Sequence, residues 1–72
     1  DKDFLDKIKR VHPDLTPNDL RFCAYLRLNL SSKDMAPLLN ISIKSVETKR
    51  YRLRKKFDLE HDSGLVDYIL AF

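Results

Sequence analysis

Between Ile41 and Phe57 the chain gathers side chains able to neutralise a polyanion and to match hydrogen-bond patterns. Seven basic residues lie there (Lys44, Lys49, Arg50, Arg52, Arg54, Lys55 and Lys56) against Glu47, a local balance of +6; the remaining residues carry seven basic and ten acidic groups, or −3. Cations at this density displace the counterions condensed on a nucleic acid, which gives affinity that falls with salt and is blind to sequence. Lys33, Lys49, Arg54, Lys55 and Lys56 are the candidates for phosphate contact, with Ser32 and Ser45 offering hydroxyl or amide donors at helix starts. Reading bases needs a different chemistry, in which lysine or arginine suits guanine, a carboxylate accepts from the cytosine amino group, and threonine meets the thymine methyl. Lys44, Glu47, Thr48, Tyr51 and Arg52 supply that set.

A helix would position these groups. At 100° per residue, Ile43, Val46, Leu53 and Phe57 fall on one narrow stripe, and Lys44, Thr48, Tyr51, Arg52 and Lys55 fall opposite. Ser42 can cap its start. Arg50 lies on the apolar stripe, and Asp19 on the core-facing side of an earlier helix, so the two are expected to pair, because a buried guanidinium without a partner is costly. Glu47 admits two readings, a cytosine contact or an intrahelical pair with Lys44 or Arg54. Tyr51 is open between groove contact and packing.

Just upstream, SSKDMAPLL reads as a shorter helix capped by Ser31 or Ser32, with Met35, Leu38 and Leu39 facing in. Pro37 inside it removes a backbone bond, at a typical cost of ~3 kcal/mol, so a short or bent helix is expected. Only Asn40-Ile41-Ser42 separates this helix from the basic one. Two helices, a three-residue joint and a basic second member suggest a helix-turn-helix, whose second helix enters the DNA major groove.

The flanking segments complete an all-α reading. Phe4, Leu5, Ile8 and Val11 recur at helical spacing up to Pro13, marking a short N-terminal helix that is either the end of a connector from a preceding domain or an added core helix. Thr16-Pro17-Asn18-Asp19 is a helix start: cap, proline at the first position, carboxylate three residues past the cap. Phe22, Cys23 and Leu26 share a face with Asp19, and Leu20, Ala24 and Leu28 share another that could receive the N-terminal helix. Asn29 stands where a left-handed residue ends a helix. Residues 58–63 read as a polar joint, and the closing helix has more apolar residues (Leu65, Val66, Tyr68, Ile69, Leu70, Phe72) than one face can bury, so part of it calls for a partner.

The run from Leu15 to Leu59 resembles the LuxR/GerE-type helix-turn-helix domain. The matching elements are Leu15-Thr16, Asp19, Leu30-Ser31-Ser32-Lys33-Asp34-Met35-Ala36, Ile41-Ser42, Ser45-Val46-Glu47-Thr48-Lys49-Arg50 and Lys56-Phe57. The resemblance implies a four-helix DNA-binding module, here with an additional short N-terminal helix, placed after a receiver or ligand-sensing region of a transcription regulator. It implies double-stranded DNA as partner, bound by a homodimer with the last helix at the interface, where Leu65, Val66, Ile69 and Phe72 are the candidates. The chain departs from the family pattern at Glu47, often basic, at Lys49, often histidine, and at Asn29 and Asp58, often glycine. On this reading residues 1–14 form the N-terminal helix or connector and residues 15–72 the DNA-binding domain.

Composition excludes other classes. Seventy-two residues make one domain, expected to be part of a longer protein because the chain begins at Asp1. No apolar run approaches the length of a membrane span, and the narrow apolar stripe of the basic helix serves better as core than as a membrane-lying face, so no membrane contact is expected. Cys23, His12 and His61 have no metal-ligand spacing, and Cys23 reads as a small buried hydrophobe. No nucleophile and base arrangement and no glycine-rich phosphate loop is present, so neither an enzyme, a small-molecule substrate nor a cofactor is expected. An RNA-binding or protein-docking basic module is the alternative; the first lacks a stacking platform of spaced aromatics, and the second leaves the basic face without a role.

Overall fold

The computed structural model describes residues 2–60 and 64–72, which among them form five helices and no strand: α1 (Lys2–Val11), α2 (Pro17–Arg27), α3 (Ser32–Leu39), α4 (Ile43–Lys56) and α5 (Leu65–Leu70). The part of the 58–63 joint at residues 61–63, with His61, lies outside the described residues. Among the described residues no helix is long and apolar enough to cross a membrane.

Side chains in the sequence set the helix starts. The Thr16 hydroxyl accepts from the Asp19 amide (3.1 Å) while the Asp19 carboxylate accepts from the Thr16 amide (3.0 Å), a reciprocal capping box with Pro17 in the first turn. Ser31, rather than Ser32, caps α3 by accepting from the Asp34 amide at 3.1 Å. Ser42 caps α4 by accepting from the Ser45 amide at 3.0 Å. Pro37 lies inside α3, which is only eight residues long.

The ends of α2, α3 and α4 share one device. Asn29, Asn40 and Asp58 have φ of 60°, 56° and 56°, the left-handed region that asparagine and aspartate enter more readily than most residues. The next amide in each case reaches back five residues: Leu30 to the Tyr25 carbonyl (3.4 Å), Ile41 to Ala36 (3.0 Å) and Leu59 to Arg54 (3.0 Å). This is the Schellman closure, and the apolar residue after each left-handed position packs against the core. Three sharp stops without glycine thus fold the chain back on itself.

One core joins all five helices. Phe22, Cys23 and Leu26 of α2 meet Met35 and Ala36 of α3, Val46 and Leu53 of α4, and Leu65 and Ile69 of α5. Each such large apolar side chain contributes roughly 1.5–3 kcal/mol by leaving water. Burial pushes the Cys23 thiol up to about 12, with the nearby Asp19 charge adding to it, so the sulfur behaves as a hydrophobe. Phe4 and Ile8 are buried in the same cluster, so α1 is an integral core helix. The Arg27 guanidinium lies 4.6 Å from the Phe4 ring centroid, and Lys9 donates to the carbonyls of Pro13 (2.8 Å) and Leu15 (2.6 Å), holding the end of α1 to the loop before α2.

Several expected core positions are exposed instead. Leu38 and Ile43 flank the α3–α4 turn and are about half exposed (51% and 49%), whereas Ala36 is buried and Ile41 packs against the core in their place. Leu28 is 70% exposed, since α2 ends before it and the chain turns away at Asn29.

Candidate nucleic-acid interface

Burying Val46, Leu53 and Phe57 fixes the rotation of α4 and leaves Lys44, Glu47, Thr48, Tyr51 and Arg52 all exposed. Four of them, Lys44, Thr48, Tyr51 and Arg52, recur at spacings of four, three and one, on the face opposite Val46 and Leu53. The Thr48 hydroxyl donates to the Lys44 carbonyl at 3.1 Å, so its proton is already engaged and it has its acceptor oxygen and its methyl group left to offer. Tyr51 is 51% exposed and therefore does not pack into the core; the Lys55 ammonium stands 5.4 Å from its ring centroid. Among the described residues Glu47 makes no ion pair with Lys44 or Arg54.

The phosphate candidates divide into three groups. Lys33, Lys49 and Lys55 are exposed and make no ion pair among the described residues. Ser45 is already committed: its amide serves the cap, and its hydroxyl accepts from that of Ser42 at 3.0 Å. Lys56 is committed as well, because its ammonium donates to Asp19 Oδ2 at 2.6 Å. Ser32 is half-buried at the first position of α3, and Arg54 is half-buried with its Nε shielded from solvent and without a hydrogen-bond partner.

The expected Asp19–Arg50 pair is not formed. Asp19 meets Lys56, which lies on the side of α4 that carries Lys49, Arg52 and Leu53 toward the start of α2. Arg50 is rotated away from that side and lines a different cleft with Ser31, Ser32, Glu47 and Arg54. The assignment failed because helical spacing gives the face of each helix but not which neighbour's end it meets.

Two of the four expected dimer residues are also corrected: Leu65 and Ile69 are 2% and 0% exposed, buried in the chain's own core. Val66 and Phe72 are half-buried, and Leu70, about half exposed, is the large apolar side chain that α5 leaves to solvent.

Two groups escaped the sequence reading. Asn18 and Arg21 line a cleft with Lys49, beside Phe22, Leu39 and Ile41, so α2 adds polar groups next to α4. Arg21 donates through Nε to the Tyr25 hydroxyl at 3.2 Å. Asn18, Arg21 and Tyr25 form a stripe at i, i+3, i+7, a signal present in the sequence but masked by the capping motif that shares it. His12 is the second: its Nε2 lies 2.6 Å from the Tyr68 hydroxyl, and its ring packs against Phe57, tilted by 49° with centroids 4.5 Å apart. Burial raises the pKa of the Tyr68 phenol. This contact ties the ends of α1 and α4 to α5 and joins residues 56 positions apart, which no local pattern announces.

The chain matches no known family model, no curated protein and no solved structure.

Proposed function

We propose that this chain is a LuxR/GerE-like helix-turn-helix domain of a transcription regulator and binds double-stranded DNA with sequence preference. In this reading α4 enters the major groove, and the end of α3 nearest Ser32 and Lys33 lies against the backbone. The observation that carries it is the exposed face of α4 opposite Val46 and Leu53, where Lys44, Thr48, Tyr51 and Arg52 stand together in a segment of net charge +6. Lys44, Glu47, Thr48, Tyr51 and Arg52 read bases, and Lys33, Lys49, Arg54 and Lys55 hold phosphates, with Arg52 sharing the groove edge with Lys49. Residues near the start of such a helix reach base edges, and those farther along meet the backbone as the groove curves away. The domain acts as a homodimer on two half-sites, through Val66 and Leu70 of α5 and Phe72 just beyond it.

A mobility-shift comparison of duplex DNA, RNA and anionic vesicles at two salt concentrations tests this reading. Duplex DNA is expected to bind tightest, with affinity falling steeply as salt rises. Tighter binding to RNA or to vesicles would overturn it.

A further inference from the structure

Arg50 is a half-buried cation without a protein partner: among the described residues it makes neither an ion pair nor a hydrogen bond. Four residues on, Arg54 is half-buried too, and its Nε is closed to solvent and unpartnered. The spacing 47, 50, 54 puts both arginines and Glu47 on one stripe of α4, and that stripe forms one wall of an open cleft of about 360 Å³. The opposite wall is the start of α3, with Ser31 and Ser32. Two like charges one turn apart on a helix repel each other, and the shielded Arg54 Nε–H is costly without an acceptor. Among the described residues Glu47 is the one carboxylate lining the cleft and is paired with neither arginine, so these groups leave a net positive charge, to which the α3 N-terminus adds its partial charge. Of the first amides of α3, Asp34's is taken by Ser31; those of Ser32 and Lys33 have no acceptor within the helix.

We infer that this cleft is an oxyanion seat for a backbone phosphate of bound DNA, built by Arg50 and Arg54 from one side and the α3 start from the other. Arg50 is thereby a DNA-contact residue, not the core strut expected from its place on the apolar stripe. Guanidinium forks match two phosphate oxygens at once, a geometry that an ammonium cannot reproduce. A phosphate seated here would bridge α3 to α4 and lock the rotation of α4 in the groove, coupling the sequence-blind contact to the register of the base-reading face. The inference rests on the DNA reading for the source of the phosphate, but the seat can be tested without DNA.

The test is an NMR titration of the 72-residue chain with inorganic phosphate, at ionic strength held constant with chloride, observing the arginine Nε–H resonances and the amides of Ser32 and Lys33. Phosphate is expected to shift Arg54 Nε–H together with both amides. Arg50→Ala, and also Arg50→Lys, should weaken that response about tenfold, the scale of one lost charge-assisted contact, while an unchanged thermal melt shows that the fold is intact. In duplex binding, Arg50→Ala should flatten the dependence of log affinity on log salt by about one. Phosphate that moves none of these resonances, or Arg50→Ala that keeps the full response, overturns the seat. A phosphate response in a chain that binds no duplex supports the seat and overturns the DNA reading instead.

Discussion

Lys56 Nζ and Asp19 Oδ2 lie 2.6 Å apart, so the last turn of α4 is tied to the first turn of α2 through the same carboxylate that closes the α2 capping box. Partial burial pushes the Asp19 carboxyl up, but the Lys56 hydrogen bond and those from the Thr16 amide and hydroxyl outweigh it, and the net pKa is lowered. Lys56 is raised, chiefly by its hydrogen bond to Asp19. The lysine side chain retains 34% exposure, so solvent screens the pair.

The first prediction concerns this pair and its pH dependence. Lys56→Ala should lower stability by about 0.2–1 kcal/mol, Thr16→Ala by about 0.5–2 kcal/mol, and Asp19→Ala by more than either, because it removes both contacts. The Asp19 contribution is present above its unfolded pKa of about 3.9 and is lost as pH falls through the lower folded value. The Lys56 contribution is present below its unfolded pKa of about 10.4 and is lost as pH rises through the higher folded value. Denaturant melts across pH, with a double-mutant cycle on positions 19 and 56, check this; independent, additive effects would contradict it.

Lys55 and Lys56 are neighbours with different tasks. Lys55→Ala should flatten the salt dependence of duplex binding by about one counterion, whereas Lys56→Ala should leave that slope nearly unchanged and act on stability. Binding isotherms at four salt concentrations separate the two; equal slope changes would mean that Lys56 leaves Asp19 for a phosphate on the complex.

The last helix divides likewise. Leu65→Ala and Ile69→Ala should each cost about 2–5 kcal/mol, as buried residues do, because their side chains are core. Leu70→Ser should change stability by no more than about 0.5 kcal/mol yet weaken self-association on a duplex with two half-sites. Sedimentation of the protein–DNA complex gives the stoichiometry, and an unaltered two-protein complex with Leu70→Ser would show that dimer contact lies elsewhere.

How far the sequence revealed these roles depends on whether the determining contact is local. Thr16 and Ser42 as caps, Asn29 as a left-handed stop and Val46, Leu53 and Phe57 as a buried stripe follow from spacing within a single helix, whereas spacing leaves Ser31 and Ser32 both open as the α3 cap. The all-helical architecture follows from the same periodicities. Asp19 choosing Lys56 over Arg50 does not, because it depends on how α2 crosses α4. The His12–Tyr68 contact and the burial of Leu65 and Ile69 likewise depend on where α5 docks. At the candidate interface, the exposed face of α4 was legible, but the commitment of Lys56 and Ser45 to protein contacts was not.

Glu47 is exposed and unpaired with Lys44 or Arg54, which leaves its carboxylate available as a hydrogen-bond acceptor. If it accepts from a cytosine amino group, Glu47→Ala should relax preference at one position of the bound site, at a cost of roughly 1–3 kcal/mol in discrimination. Competition binding with single-base variants of one duplex measures this; uniformly tighter binding to every variant would show that the carboxylate only repels phosphate.

Selection of bound duplexes from a random library, at one fixed salt concentration, tests most directly whether the chain reads DNA sequence. Successive rounds should enrich a short motif repeated at a spacing near one helical turn, about 10 base pairs centre to centre, and replacing Lys44, Thr48 or Arg52 should alter that motif. A pool that binds through its charge but never narrows, with the same affinity for selected and unselected duplexes, would contradict sequence recognition by α4.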